Sequence, residues 1–109
     1  MKFSDFLKTA EVEGKEKHVP EIEVEGDSSV RVIVGKEVPH PNTVEHHIEW
    51  IELFGIKEND QVISLGRTTF EPVYADPNVV YKVKVDEFKA FCALEFCNIH
   101  GVWQNCLEL

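Results

Sequence analysis

Short stretches in which apolar and polar residues alternate recur along this chain of 109 residues, and they limit its fold more than any other feature. Such alternation places successive side chains on opposite faces of an extended strand. It predicts strands at residues 22–24, 30–34, 48–54, 61–65, 79–85, 88–96 and 102–107. Short strands about ten residues apart, with almost no helix, predict an all-β fold: an immunoglobulin-like seven-stranded β-sandwich or barrel.

Three segments need arguments other than strict alternation. Residues 44–54 match helical and strand periodicity equally well, and their Ile and Trp content, followed by Gly55, favours the strand. Phe3 and Phe6 predict a short N-terminal helical turn that packs through its phenylalanine side chains. Residues 11–18 are mostly charged, which predicts a loop on the surface.

Length and charge limit the classes of function. A chain of this size favours one domain covering residues 1–109. With 11 Lys and Arg against 20 Asp and Glu, the formal charge of −9 weighs against nucleic acid or an anionic membrane as the main partner. No apolar run approaches the roughly 20 residues of a membrane span, and the first residues lack a signal-peptide pattern. We therefore expect a cytoplasmic protein.

Three cysteines are an odd number, which argues against a full disulfide framework and suits a reducing compartment. At least one thiol is expected to be reduced or metal-bound. Cys92 and Cys106 fit small buried apolar residues better than metal ligands.

The stretch from Cys97 to Trp103 places a cysteine and a histidine three positions apart, followed by Gly101. Glycine permits the tight turn that would aim both side chains at one metal ion. Alone, the pair equally fits a buried thiol beside a hydrogen-bonded imidazole. The histidines of the chain lie in or beside predicted loops: His18, His40, His46, His47 and His100. Because loops at one end of a sandwich converge, these residues predict a metal site, although any single one also fits a solvated surface histidine.

The number of donors bears on the choice of metal. Structural zinc takes four ligands, so four imidazoles and a thiolate are one too many. Blue copper adds a weak axial methionine to two histidines and a cysteine, and the only methionine is Met1. Five ligands would leave a sixth position on an octahedral ion such as iron. A cupredoxin-like copper electron carrier and a structural zinc domain remain the alternatives.

Three sequence blocks carry a resemblance to a known family. They are Glu16-Lys17-His18-Val19-Pro20, His40-Pro41-Asn42 with His46-His47, and Cys97-Asn98-Ile99-His100-Gly101-Val102-Trp103. Over residues 14–104, their order and spacing resemble the superoxide reductases, in which an immunoglobulin-like β-barrel holds a mononuclear non-haem iron. The chain lacks the N-terminal four-cysteine module of the two-iron members, so it resembles the one-iron class, the neelaredoxins.

The resemblance implies a set of site residues. Cys97 would be the axial ligand, and the equatorial ligands would be His18, His40, His46 and His100. His47 would then support the site or pack beside it. Glu16 would bind the oxidised ion, since a carboxylate suits ferric iron. Lys17 would attract superoxide and help supply water or a proton to the product.

The implied activity is the one-electron reduction of superoxide to hydrogen peroxide, without formation of dioxygen. The implied cofactor is one iron ion per chain, cycling between Fe2+ and Fe3+. The implied partners are superoxide, rubredoxin or a similar small electron donor, and further copies of the chain in a homotetramer.

Overall fold

A computed structural model describes residues 1–13 and 17–109, and over those residues it contains seven strands in two antiparallel sheets. The strands are β1 (Glu21–Glu25), β2 (Ser29–Ile33), β3 (Ile48–Ile56), β4 (Val62–Thr69), β5 (Asn78–Lys82), β6 (Ala90–Cys97) and β7 (Gly101–Glu108). One sheet has the order β1-β2-β5 and the other β4-β3-β6-β7. The predicted all-β, immunoglobulin-like sandwich is confirmed.

The core lies between the two sheets and is built from the inward positions of alternating strands. Val30 and Val32 of β2 and Ile51 and Leu53 of β3 are fully buried, and all four belong to one apolar cluster. Cys97, at the end of β6, belongs to the same cluster and is also fully buried. The Cys97 sulfur is therefore anchored in the rigid core of the molecule.

Several strand ends differ from the sequence prediction. β4 continues past Gly66 to Thr69, because a register irregularity in its pairing with β3 absorbs the glycine inside the strand. β5 ends at Lys82, since the chain turns into a short 3-10 helix at Val85–Glu87. β6 accordingly begins at Ala90 rather than at residue 88.

The N-terminal segment forms two short 3-10 helices, at Phe3–Phe6 and Ala10–Val12. The predicted helical turn is confirmed, but its packing is wrong: the side chains of Phe3 and Phe6 are 67% and 58% exposed. The predicted surface loop ends earlier than expected, because His18 is buried at 4% exposure. Among the helices of the described residues, none has the length and hydropathy to cross a membrane.

Cys92 and Cys106 form a disulfide, so the prediction that they are small buried thiols is wrong. The antiparallel register of β6 and β7 pairs these residues directly, with their Cα atoms 4.0 Å apart. Strand register is a tertiary property that residue spacing does not encode. The expectation of one reduced or metal-bound thiol now rests on Cys97, and the cysteine count no longer supports a reducing compartment.

Candidate metal centre

The predicted ligands come from segments that meet at one end of the sandwich. His18 lies shortly before β1, and His40 and His46 lie in the connection between β2 and β3. Cys97 is the last residue of β6, and His100 occupies the turn that leads into β7. Because these loops are anchored in rigid strands that share one core, the backbone positions of their side chains are well defined.

The structure brings all five predicted side chains together. One ligand atom from each of His18, His46, Cys97 and His100 lies within 4.8 Å of the others. His40 joins them, since its Nε2 is 3.7 Å from the Cys97 Sγ, and its ring centroid is 4.7 Å from those of both His18 and His46. Four imidazoles thus surround one sulfur.

The hydrogen bonds of two imidazoles indicate which nitrogen each one turns towards the sulfur. His40 Nδ1 lies 2.7 Å from the carbonyl oxygen of Pro41, which can only accept, so Nδ1 carries the proton. The other nitrogen, Nε2, then has a lone pair directed at the cluster. In His100 the nitrogen closest to the cluster is instead Nδ1, 3.8 Å from the Cys97 Sγ.

The turn after Cys97 supplies a donor to its sulfur. The backbone N–H of His100 lies 3.4 Å from Sγ and donates to it. Gly101 closes the turn with a φ of +86°, a conformation that strains residues with a Cβ. The predicted need for a glycine is confirmed. An N–H donor stabilises the thiolate form that binds metals.

The backbone around His18 is held by a carboxylate that the sequence analysis missed. Glu13 Oε2 accepts hydrogen bonds from the N–H groups of His18 and Val19, at 2.9 and 2.7 Å. Its other oxygen lies 3.8 Å from Lys17 Nζ. The His18 ring stacks on Trp103, with centroids 4.6 Å apart and an interplanar angle of 10°. Glu13 is one of many glutamates in the sequence, and no local pattern distinguishes it from the others.

The segment before β3 is tied to the cysteine turn by Asn98, which the sequence analysis also missed. Asn98 Oδ1 accepts from the N–H of His47 at 2.8 Å, and Nδ2 donates to the carbonyl of Glu45 at 2.9 Å. His47 is buried and lies 3.0 Å from the Thr43 carbonyl through Nδ1. Its contacts are those of a packing residue beside the cluster.

The loop that carries His40 is fixed from two sides. Asn42 accepts from the N–H of Val73 at 2.8 Å and donates to the carbonyl of Ala75 at 3.2 Å. Gly35 packs so closely against His40 that a Cβ at position 35 would lie 2.6 Å from the His40 backbone nitrogen. Gly35 belongs to the same β2–β3 connection as His40, so its close approach is a tight fold of the backbone within that loop.

A buried acid lies on β6 two residues before the cysteine. Glu95 is fully buried, and among the described residues neither carboxyl oxygen has a hydrogen-bond partner. Burial, with a smaller contribution from the charge of Glu13, raises the pKa of Glu95 to about 9. The carboxyl is therefore neutral at pH 7, and it adds no negative charge beneath the cluster.

The donor set fits iron better than the alternatives. Five nitrogen and sulfur donors exceed the four of a structural zinc site. Met1 is fully exposed, so it does not supply the axial thioether of a blue-copper site. Glu16, the predicted ligand of the oxidised ion, lies outside the described residues.

The chain is similar to proteins of one known family over most of its length. The desulfoferrodoxin family profile matches residues 10–106. A superoxide reductase from Pyrococcus abyssi is 44% identical, with 96% of both chains covered. A neelaredoxin from Megalodesulfovibrio gigas is 37% identical over 96% of this chain and 95% of the relative. The solved superoxide reductase (neelaredoxin) from Ignicoccus hospitalis superposes with a TM-score of 0.86 at 37% identity, covering 100% and 98% of the two chains.

Proposed function

The chain belongs to the desulfoferrodoxin family of superoxide reductases, and we propose that it holds one iron ion in a single domain of residues 1–109. The proposed ligands are His18, His40, His46, Cys97 and His100. The observation that carries this proposal is the convergence of four imidazoles on one buried sulfur. Such a mixed set of nitrogen and thiolate donors suits iron.

An iron ion held by these residues would supply one electron as Fe2+ becomes Fe3+, and superoxide would take up that electron and two protons to give hydrogen peroxide. The protein residues prepare the site for that chemistry. Cys97 contributes a thiolate whose negative charge the N–H of His100 partly offsets. Burial of the sulfur keeps it from solvent.

Lys17 is the proposed cationic residue that attracts superoxide and helps supply water or a proton to the product. Lys17 directly precedes the proposed ligand His18 in the sequence, and its side chain is about half exposed. Glu13 lies beside it, but that carboxylate also accepts two backbone N–H groups. A local cation matters because the whole protein carries a charge of −9. Lys17→Ala should slow the bimolecular reaction and weaken its salt dependence, and unchanged values of both would refute this role.

Glu16 is the proposed ligand of the oxidised ion. The support is chemical and comparative: its carboxylate is a hard donor suited to Fe3+, and it precedes Lys17 and His18 in the block that resembles the family. Glu16→Ala should alter the absorption spectrum of the ferric protein while superoxide reduction stays fast. An unaltered ferric spectrum would count against ligation.

The deciding experiment combines metal analysis, spectroscopy and kinetics. We expect about one iron per chain, a sulfur-to-ferric charge-transfer band that ascorbate removes, and rapid oxidation of the ferrous protein by a pulse of superoxide without dioxygen release. Cys97→Ser should lose the band and most of the activity. Copper with an intense blue band would instead establish an electron carrier, and colourless zinc a structural domain.

Three finer proposals concern the setting of the reaction. The electron donor is proposed to be rubredoxin or a similar small protein, which stopped-flow reduction of the ferric protein would test. A homotetramer is proposed, supported by exposed apolar side chains at Phe3 and Phe6, and light scattering would measure it. The cytoplasmic location stays a prediction, to be tested by cell fractionation.

A further inference from the structure

Lys8 is fixed against the last strand of the larger sheet. Its N–H donates to the carbonyl of Val102, and its carbonyl accepts from the N–H of Gln104, both at 2.9 Å. These two bonds form a parallel bridge with Trp103 of β7. The backbone of an otherwise exposed N-terminal segment is thereby held beside the strand that leaves the cysteine turn.

The side chain of Lys8 contacts two parts of the candidate metal centre. Its Nζ donates to the carbonyl of His100 at 2.8 Å and lies 5.5 Å from the centre of the Trp103 ring. Trp103 in turn stacks on His18. One ammonium group therefore touches a proposed ligand residue and the aromatic ring that supports another.

The carbonyl that Lys8 binds belongs to the turn that serves the sulfur. The N–H of the same residue, His100, donates to the Cys97 Sγ. A charge-assisted hydrogen bond to the carbonyl restricts the orientation of this turn. It also places a positive charge near the site, in a protein whose overall charge is strongly negative. A nearby positive charge favours the less positive oxidation state of a bound ion and attracts an anion.

We propose that Lys8 is a positioning residue of the metal centre, which holds the Cys97–His100 turn through the His100 carbonyl and adds a second cation to the site. The proposal rests on the proposed function for its kinetic consequence, while the hydrogen bond itself is independent of activity. A lysine that is only solvated would have neither effect.

The test uses Lys8→Met, which removes the donor and the charge, and Lys8→Arg, which retains both. Lys84→Met is the matched control, because Lys84 lines a surface hollow with Lys57, beyond the opposite end of β3 from His46. In the iron-loaded protein, Lys8→Met should lower the reduction potential and slow the reaction with superoxide at low ionic strength by roughly twofold, the size expected for one exposed unit charge in water. Lys8→Arg and Lys84→Met should match the parent protein.

A second readout does not depend on turnover. In protein loaded with Zn2+ as a diamagnetic probe, the amide resonance of Gly101 should shift in Lys8→Met and stay in place in Lys84→Met, since Gly101 shares its peptide group with the His100 carbonyl. The proposal is overturned if Lys8→Met and Lys84→Met give the same Gly101 resonance, the same reduction potential of the iron and the same rate with superoxide. A parent protein that binds iron but does not reduce superoxide would refute the proposed function, and the resonance and potential would still decide the role of Lys8.

Discussion

At the scale of single residues, the metal centre depends on side chains that bind no metal. Asn98 lies in the ligand turn, and its side chain holds His47 and Glu45 in the segment that contains His46. Its own N–H donates to the His47 carbonyl at 3.2 Å. Glu13 likewise fixes the backbone at His18, because its carboxylate accepts a hydrogen bond from the His18 N–H. The positions of the imidazoles therefore depend on the Asn98 amide, which connects distant segments, and on the Glu13 carboxylate, which lies five residues before His18.

Asn98→Ala should destabilise the protein by about 1–3 kcal/mol, because two hydrogen bonds are lost and their backbone partners lose their contacts. It should also speed the loss of iron to a chelator. Urea unfolding and chelator kinetics measure the two effects. Asn59→Ala is the control, since the Asn59 side chain accepts the Gln61 N–H in an exposed turn far from the ligand residues in sequence. Equal behaviour of the two variants would show that Asn98 does not position the site.

At the scale of elements, the β6–β7 hairpin carries much of the site. It holds Cys97 at its turn and Trp103 on its second strand, and it is closed further along by the disulfide of Cys92 and Cys106. Cys92 and Cys97 are five positions apart on one strand, so their side chains lie on opposite faces. The disulfide therefore stabilises the hairpin without taking part in the metal cluster.

Reduction of the Cys92–Cys106 disulfide should lower the free energy of unfolding by about 2–3 kcal/mol, the range for a bond that closes a loop of this length. The spectrum of the iron site should persist. Thiol titration of the denatured protein should find one thiol per chain before reduction and three afterwards. Three thiols without reductant would contradict the disulfide.

At the scale of the whole molecule, net charge and local charge act in opposite directions. The chain carries −9 overall, which opposes the approach of an anion. Near the site, Lys8 and Lys17 supply positive charge, and the buried Glu95 is protonated at pH 7. A neutral acid in the core has a consequence for folding, since the unfolded chain would release the same proton.

The pKa of Glu95 is about 9 in the folded protein against an ordinary value of 4.5, so between these values the folded state holds a proton that the unfolded state has lost. The stability that depends on this group is complete below pH 4.5 and is lost as the pH rises towards 9. Relative to the parent, Glu95→Gln should gain stability on the order of 1 kcal/mol per pH unit between about pH 5 and pH 8. Because both proteins share the metal ligands, the difference in urea unfolding isolates Glu95. A difference that does not change with pH would contradict the raised pKa.

The outcome of the sequence predictions follows the range of the interactions involved. The sequence predicted all seven strands, six from alternation and β3 from its Ile and Trp content, because the pleat of a strand is a local property of a few residues. Strand ends were less accurate: Gly66 lies inside β4, where a register irregularity with β3 accommodates it. The exposure of Phe3 and Phe6 and the burial of His18 depend on which surfaces meet, so composition alone misplaced them.

The sequence by itself determined the strand pattern, the chemical identity of the donors, and the need for a glycine after His100, since each depends on neighbouring residues. Only the tertiary structure decided that His18, His40 and His46 meet the sulfur of Cys97, that Cys92 pairs with Cys106, and that Glu95 is neutral. These features depend on strand register and on exclusion of water between sheets, and both arise only when residues distant in the chain are packed together.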